Sequence, residues 1–502
     1  MRQQTHKNTF LKTIPFTTIF MESLKQSSMW VSSNTIDGNS QFQGRLLLKV
    51  DNQWESVQLN LHPEKLYKKG VGSEDYTSYC QLQACFLKKF THFDPTMPNY
   101  RYGIRLQFGQ QLTHLLTENS DIFKKWFQFL RRFCIMDKFA RKYKVLGKIK
   151  QSDPVFGQCL FSCVRVQDAE YHIVKVIDKN VITATQKQNL FREISNLRKL
   201  SHTQICYIVE VLEDEQNLYI LYEYYLGIDL RSYIKESQIY QMAEQSTQGL
   251  DEKLVADIIY GVLQAIQHMH SKGVFHRDLK MENLFIPEKK RLPFVVLANF
   301  CYSETTDQIQ YKKCGTPGFV APEIFRSKNY TSKVDLFSLG IIFYILVYGK
   351  LPFEGKDQEE ILRSNERCEI DFRIEKKICK KISISGMDLL KGLLNKEPIK
   401  RLSAVQALNH HWFIKMGTRN QRNQQYLQVQ RGKSLSTIIE NSVDITQSYY
   451  QSNSQLHQST KDDDRLDRVE KEFIKGSLYD KLLHFNSIQY QPSKIRRNQQ
   501  SN

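Results

Sequence analysis

The sequence predicts an α+β protein in which a small antiparallel β domain precedes a larger domain with two lobes. Strand-like segments and one amphipathic helix occupy residues 42–138, strands precede helices in residues 143–413, and both ends of the chain are polar. We therefore expect a disordered segment at 1–41, folded domains at 42–138 and 143–413, and a mostly disordered tail at 414–502.

The composition narrows the class of protein. The chain is 41% hydrophobic and 25% charged, without a run of about 18 uncharged apolar residues, which argues against an integral membrane protein. The net charge of +18 favours anionic partners, but no recognition module for nucleic acid is present, so no specific nucleic-acid partner is expected. The ten cysteines form no CxxC pair, so we expect neither a zinc site nor a disulfide framework. The reduced cysteines suit a cytoplasmic location, which we therefore expect.

Residues 42–138 alternate between apolar and polar side chains as strands do. We predict strands at 45–50, 54–61, 65–69, 79–86, 100–108 and 111–117. Asp121 is the predicted N-cap of a helix whose apolar residues, Trp126 among them, recur at helical spacing.

This order of elements resembles a pleckstrin homology domain. The resemblance rests on residues 44–49, Trp54 with the alternation that follows it, residues 66–67 and Trp126. It implies docking on an acidic membrane lipid or on a protein. Lys49 suits a lipid phosphate, but Glu55 stands near the place where a second basic residue is usual. Docking on a lipid and docking on a protein therefore both stay open, and so does peripheral attachment to membranes.

The two ends of the chain are rich in polar residues. The C-terminal tail contains many Gln, Asn and Ser residues, and an apolar stripe predicts one helix at 462–485 within it. The basic stretch at 414–439 has few apolar anchors, so binding of calmodulin stays open. Met1 and Met21 both remain candidates for the true start.

His276–Asn283 reads His-Arg-Asp-Leu-Lys-Met-Glu-Asn, which resembles the catalytic loop of eukaryotic protein kinases. Further kinase elements follow the family order: Lys175, Glu193, 314–323, 335–340 and 400–402. The resemblance implies a bilobal protein kinase fold with a β-rich small lobe and a helical large lobe. Lys280 and the Gly315-Thr316 pair are similar to the serine/threonine type, and residues 314–323 to the calcium/calmodulin-dependent group.

The resemblance also implies roles for particular residues. Asp278 would accept the proton of a protein hydroxyl, Lys280 would neutralise the transferred phosphoryl group, and Asn283 would bind Mg²⁺. Lys175, steadied by Glu193, would contact the phosphates of ATP. The remaining residues expected at the nucleotide are Gly157, Cys159, Ile173, Glu223 and Tyr225. Asp229 and Glu282 carry carboxylates that could accept a substrate arginine. A preference for substrates with basic motifs therefore stays open.

Several positions depart from the family pattern. Asn299 stands where relatives carry the metal-binding aspartate, and it offers only a neutral oxygen as the second metal ligand. No replacement carboxylate is apparent, although Glu304 is close in sequence. Gly157 alone remains of three loop glycines, while Ile173 and Cys159 replace the usual Ala and Val of the adenine pocket. Lys312 stands where many relatives carry an activating phosphothreonine, so Arg277 lacks a phosphate partner by that route. Ser303, Thr305, Thr306 and Tyr311 stay open as alternative sites.

Two functions therefore stay open. The first is a serine/threonine protein kinase with impaired transfer of the ATP γ-phosphate. The second is a catalytically inactive pseudokinase that acts as a signalling scaffold, placed by the pleckstrin-like domain. The complete catalytic loop favours the first function, and Asn299 together with the degraded glycine loop favours the second.

Overall fold

The computed structural model describes residues 28–32, 40–50, 52–62, 64–69, 75–151, 158–223, 227–236, 250–287, 293–306, 314–326, 330–370, 372 and 382–418. The predicted helix at 462–485, Gly157 and Tyr225 lie outside these residues. Within them, no helix has both the length and the apolar character needed to cross a bilayer. Strands dominate the first part of the chain and helices the last part, so the predicted α+β class is confirmed.

The N-terminal part is an antiparallel β domain closed by one helix. Its elements are β1 (Trp30–Ser32), β2 (Phe42–Val50), β3 (Gln53–His62), β4 (Lys65–Lys69), β5 (Tyr76–Gln81), β6 (Phe86–Thr91), β7 (Tyr102–Phe108), β8 (Gln111–Thr117) and α1 (Ser120–Arg131). The strand order is β1-β5-β4-β3-β2-β8-β7-β6. Helix α1 buries Trp126, whose ring meets that of Phe42 edge-on at 4.8 Å, so that helix and sheet share one core.

Two details of the predicted β domain are wrong. The strand expected at 79–86 is two strands, because a 3₁₀ turn at Leu82–Ala84 separates β5 from β6. No Gly or Pro marks this break; it is fixed by the amide of Leu82, which donates to the carbonyl oxygen of Glu64 over 2.8 Å. Asn119, and not Asp121, caps helix α1, since its Oδ1 accepts from the amides of Asp121 and Ile122 at 2.8 and 3.0 Å.

A second group of strands follows with one long helix. These elements are β9 (Ile135–Met136), α2 (Phe139–Lys142), β10 (Tyr143–Gln151), β11 (Gln158–Arg165), β12 (Tyr171–Asp178), α3 (Ala184–Lys199), β13 (Ile208–Glu213) and β14 (Asn217–Glu223). Strands β10 to β12 pair in sequence, and β14 lies between β12 and β13. Helix α3 begins with a capping box in which Thr183 and Gln186 bond each other's backbone.

The short strand β9 joins the two groups of strands. Ile135 pairs with Phe86 of β6 on one side and with Val211 of β13 on the other, both in parallel. The result is one sheet of 14 strands that runs from the N-terminal domain into the second group. Polar contacts reinforce the junction: Arg132 donates to the carbonyl oxygen of Leu200 over 2.9 Å, and Arg198 to that of Cys134 over 3.0 Å.

The last part of the chain is mainly helical. Its elements are β15 (Gly227–Asp229), α4 (Leu230–Glu236), α5 (Glu252–Ser271), β16 (Val274–Phe275), β17 (Leu284–Pro287), β18 (Val296–Leu297), β19 (Glu304–Thr305), α6 (Glu323–Arg326), α7 (Lys333–Tyr348), α8 (Gln358–Arg367), α9 (Ile384–Leu393), α10 (Ala404–Leu408) and α11 (His411–Lys415). Helix α7 is buried along nearly its whole length. It supports the loop between β16 and β17, where the predicted catalytic residues lie.

Candidate active site

Lys175 and Glu193 form a buried ion pair between β12 and α3. The Lys175 Nζ lies 2.9 and 2.8 Å from the two carboxylate oxygens of Glu193, and the two residues are only 4% and 3% exposed. Burial alone would lower the pKa of Lys175, but the neighbouring Cys301 and Glu193 outweigh it, and the pKa is raised. Lys175 therefore keeps its positive charge while it points toward the site.

Two further residues contact the Lys175–Glu193 ion pair, and the sequence did not predict either contact. The Tyr222 hydroxyl donates to Oε1 of Glu193 over 3.1 Å, and the Lys175 ammonium donates to the Cys301 sulfur over 3.2 Å. Burial, followed by the charge of Glu193, raises the pKa of Cys301 to about 12. Tyr222 lies on β14 opposite Ile173, and only the strand register reveals that it reaches Glu193.

Asp335 of helix α7 fixes the backbone of the catalytic loop. Its carboxylate accepts from the amides of His276 and Arg277 at 3.0 and 2.9 Å, and His270 lies 2.9 Å from the same group. Burial would raise the pKa of Asp335, but these hydrogen bonds and the nearby histidines prevail and lower it. Asp335 thereby holds Arg277 at φ +66°, a conformation that non-glycine residues seldom adopt unaided.

The three predicted catalytic residues lie together at the end of this loop. The Thr316 hydroxyl donates to Oδ1 of Asp278 over 2.6 Å and accepts from the Lys280 ammonium over 2.7 Å. The Nδ2 of Asn283 donates to the carbonyl oxygen of Asp278 over 2.7 Å and lies 3.3 Å from its Oδ2. The Asp278 carboxylate is therefore fixed between a hydroxyl, an ammonium and an amide, as a proton acceptor in a defined position requires.

Asn299 faces Asn283 at the predicted metal position. Asn299 has φ +65°, which asparagine tolerates better than most residues, and its Nδ2 donates to Oδ1 of Asn283 over 3.1 Å. Mg²⁺ prefers carboxylate oxygens, whereas these two residues offer neutral amide oxygens, one of which already accepts a hydrogen bond. The pair is thus a poor fit to a tightly bound Mg²⁺ ion.

The residues expected around the nucleotide base are only partly described. Cys159 and Ile173 lie on the neighbouring strands β11 and β12, both with partly exposed side chains, and Glu223 is the last residue of β14. Gly157 and Tyr225 belong to segments that lack described positions. Among the described residues, the structure therefore brings together those predicted for phosphate contact and proton transfer.

The comparisons with known proteins agree with this arrangement. The family model described as protein kinase domain matches residues 155–413. The chain is 34% identical over 247 residues to a probable serine/threonine-protein kinase 2 of Plasmodium falciparum, covering 48% of this chain but only 45% of that kinase. It is 33% identical to a calcium/calmodulin-dependent protein kinase type 1 of Macrobrachium nipponense, covering 51% of this chain and 71% of the relative. It is 30% identical to myosin light chain kinase A of Dictyostelium discoideum, covering 54% and 90%.

Proposed function

This chain belongs to the protein kinase family, and we propose that it transfers the γ-phosphate of ATP to serine or threonine hydroxyls of proteins at a reduced rate. One observation carries the proposal. The Lys175–Glu193 ion pair is formed while the Asp278 carboxylate is fixed by Thr316, Lys280 and Asn283. Phosphoryl transfer depends mainly on positioning and charge stabilisation, and both halves of that arrangement are present in this conformation.

In the proposed reaction the substrate hydroxyl oxygen attacks the γ-phosphorus, the bond to the β-phosphate oxygen breaks, and ADP leaves. The Asp278 carboxylate orients the hydroxyl and accepts its proton. Lys280, whose ammonium lies 3.3 Å from Oδ2 of Asp278, places positive charge beside the phosphoryl group in transit. Lys175 holds the α- and β-phosphates. Members of this family use ATP with Mg²⁺, which supplies further charge stabilisation when bound.

Two features of the site support a reduced rate. Asn299 supplies no negative charge to a metal ion, and its amide occupies Oδ1 of Asn283. The loop around Gly157 has lost two of the three glycines that let the backbone approach phosphates closely. The transfer step is therefore expected to be slower than in relatives that keep the aspartate.

The test is transfer of radiolabelled γ-phosphate to the full chain itself and to a Ser/Thr peptide, with Mg²⁺ or Mn²⁺. The wild type is compared with Asp278→Asn, which keeps the side-chain shape, and with Asp278→Ala. Thermal unfolding of each variant controls for loss of fold. We expect transfer that both substitutions abolish. Equal phosphate incorporation in all three proteins would identify a contaminating kinase and overturn the proposal.

A catalytically inactive scaffold is the second candidate, and the Asn299–Asn283 hydrogen bond favours it. In that function the chain binds partners through a kinase-shaped surface, and Asp278 contributes nothing measurable. A scaffold predicts no transfer with either metal ion, with wild-type partner binding retained in Asp278→Asn. The transfer assay therefore separates the two functions directly.

A preference for basic substrates is a further part of the proposal. Glu282, beside the catalytic loop, accepts a hydrogen bond from Arg231, and Asp229 accepts from the amide and hydroxyl of Ser232 at 2.9 and 2.8 Å. A substrate arginine would take the place of Arg231 at Glu282. Peptides with and without arginine before the serine test this, and the same assay with added Ca²⁺-calmodulin tests regulation by calmodulin.

For the N-terminal domain we propose a pleckstrin homology-like docking role in the cytoplasm, with peripheral attachment to membranes. Its antiparallel strands and closing helix support this proposal. The Lys49 ammonium, whose charge suits a lipid phosphate, lies 5.7 Å from the centroid of the Trp54 ring. Sedimentation with phosphoinositide vesicles, compared between wild type and Lys49→Gln, tests lipid docking. Failure of the wild type to sediment would favour a protein ligand.

A further inference from the structure

Glu304 is a buried carboxylate between two arginines. It lies on β19, whose pairing with β16 sets Glu304 opposite Phe275, and it is 1% exposed. Its Oε2 accepts a hydrogen bond from Nη1 of Arg192 over 2.9 Å and lies 3.6 Å from Nη2 of Arg277. A carboxylate so deeply buried is stable only when it is paired, and here two guanidinium groups pair with it.

The positions of the two arginines connect Glu304 to the active site. Arg192 directly precedes Glu193 on helix α3, and Arg277 directly precedes Asp278 on the catalytic loop. Glu304 therefore links the two backbone segments that present the ion-pair partner of Lys175 and the proton acceptor.

A second contact joins the same two regions. The Nδ2 of Asn196, one helical turn after Arg192, donates to the Ser303 hydroxyl over 3.1 Å, and that hydroxyl donates to the carbonyl oxygen of Phe300 over 2.7 Å. Helix α3 is thus bound to residues 303–304 along two successive turns. Arg277 is held further by the carbonyl oxygen of Tyr302 at 2.7 Å and the hydroxyl of Tyr330 at 2.8 Å.

We infer that Glu304 is a positioning residue that supplies, within the chain, the negative charge that a phosphate on the activation segment would otherwise bring to Arg277. It holds helix α3 against the catalytic loop so that Glu193 reaches Lys175 without prior phosphorylation. This inference rests on the proposed transfer activity, but it also predicts a property of helix α3 that exists whether or not transfer occurs.

The geometry also excludes one role for Glu304. Its carboxylate is bound to Arg192 and Arg277, so it is not available as a replacement metal ligand for Asn299. The charge of Glu304 acts on the position of α3 and not on the metal site.

The experiment uses the full chain and four proteins: wild type, Glu304→Gln, Arg192→Gln and Glu359→Gln. Glu359→Gln is the matched control, because it neutralises an exposed carboxylate that lies 3.3 Å from Arg363 on α8. Arg192→Gln removes the guanidinium charge on the α3 side of the link and leaves the contact between Glu304 and Arg277, so it covers the case in which Glu304→Gln folds poorly. All proteins are treated with phosphatase, and the phosphatase is removed.

Two readouts are taken from each protein. Amide hydrogen exchange of residues 184–199 reports the order of helix α3 and needs no activity. Initial rates of phosphate transfer report kcat and KM. We expect the wild type and Glu359→Gln to be equal in both readouts after phosphatase treatment. In Glu304→Gln and Arg192→Gln, exchange of α3 should be faster and kcat should fall about 10-fold, with KM for the peptide little changed.

Three results are decisive. Unchanged exchange of α3 in both variants would overturn the inference, even if the wild type transfers no phosphate. Transfer that is present in the untreated wild type and lost after phosphatase treatment would overturn it as well, because a covalent phosphate would then supply the charge. If the wild type transfers no phosphate even before phosphatase treatment, while α3 exchanges faster in both variants than in the wild type, the proposed function is contradicted and the role of Glu304 in positioning α3 is supported.

Discussion

The amide nitrogen of Asn299 donates a hydrogen bond to the side-chain oxygen of Asn283 over 3.1 Å. An aspartate at position 299 would present an oxygen there instead, and two oxygens would then face each other across the place of a cation. The present pair satisfies itself without an ion. The same bond that stabilises the loop therefore competes with metal binding.

Asn299→Asp is expected to raise the rate of phosphate transfer at least about 10-fold at millimolar Mg²⁺, because the new carboxylate binds the cation and loses the hydrogen bond to Asn283. Initial rates as a function of Mg²⁺ concentration measure the effect. The control Asn180→Asp lies on an exposed turn after β12. A rate equal to that of the wild type at every Mg²⁺ concentration would show that charge at position 299 does not limit transfer.

Tyr222→Phe removes the hydroxyl that donates to Glu193 and leaves the ring in place. We expect a 2- to 10-fold lower kcat, since a typical intramolecular hydrogen bond contributes about 0.5–1.5 kcal/mol. Tyr219→Phe is the matched control. Tyr219 lies on the same strand as Tyr222, but its hydroxyl donates to Asp214 over 2.7 Å and not to the ion pair. Equal losses in the two variants would point to a general effect on β14.

Arg401 and Glu323 form a buried bidentate ion pair with N–O distances of 2.6 and 2.9 Å. Arg401→Met is expected to lower the free energy of unfolding by about 3–5 kcal/mol, because Glu323 would remain buried without its partner. Urea unfolding followed by tryptophan fluorescence measures this. The double variant Arg401→Met with Glu323→Leu should recover part of the loss; a double variant less stable than the single would contradict the explanation.

His202 and His268 make folding sensitive to acid. The pKa of each histidine is lowered to about 4, mainly because burial disfavours the charged ring. Each ring nitrogen accepts from a backbone amide at 3.2 Å, Gln204 for His202 and Ser201 for His268, and a protonated ring cannot accept. Between about pH 6.5 and 4 the unfolded chain binds a proton at each of these histidines and the folded chain does not. The free energy of unfolding therefore falls as the pH falls, by at most about 1.4 kcal/mol per pH unit for each histidine.

Unfolding measured at pH 7 and pH 5 tests this expectation. His268→Gln retains an acceptor but cannot be protonated, so its stability should depend less on pH than that of the wild type. His411→Gln is the control, since the His411 side chain is exposed. If all three proteins lose the same stability between the two pH values, other groups cause the acid sensitivity.

Local patterns were enough to predict the α+β class and most strands of the N-terminal domain. Strands β4 and β8 begin and end at the predicted residues, because turn residues and alternation mark them directly. The break at Leu82–Ala84 has no such mark, since it depends on a contact with Glu64 made through the fold. The cap at Asn119 was missed because two neighbouring residues can each play that role and only the backbone decides between them.

The candidate catalytic residues can be found from the sequence because they form a motif, whereas their supporting contacts cannot. Glu304 lies 112 positions from Arg192 in the chain, and Cys301 lies 126 positions from Lys175. No local periodicity reports a pairing across such distances. The charge of Glu304 was visible in the sequence, but its role became clear only when both arginines were seen around it.

Strand β9 has only two residues, yet it has consequences for how such a chain can be recombined. If residues 1–138 were exchanged for an unrelated domain, β13 would keep β14 on one side but lose β9 on the other, and it would present a bare edge with Val211 and Leu212 along it. Exposed edges of this kind invite pairing with other chains. Fusions made from this protein should therefore keep Ile135 and Met136 together with the strands on both sides, and reporter tags belong at the ends of the chain and not at this junction.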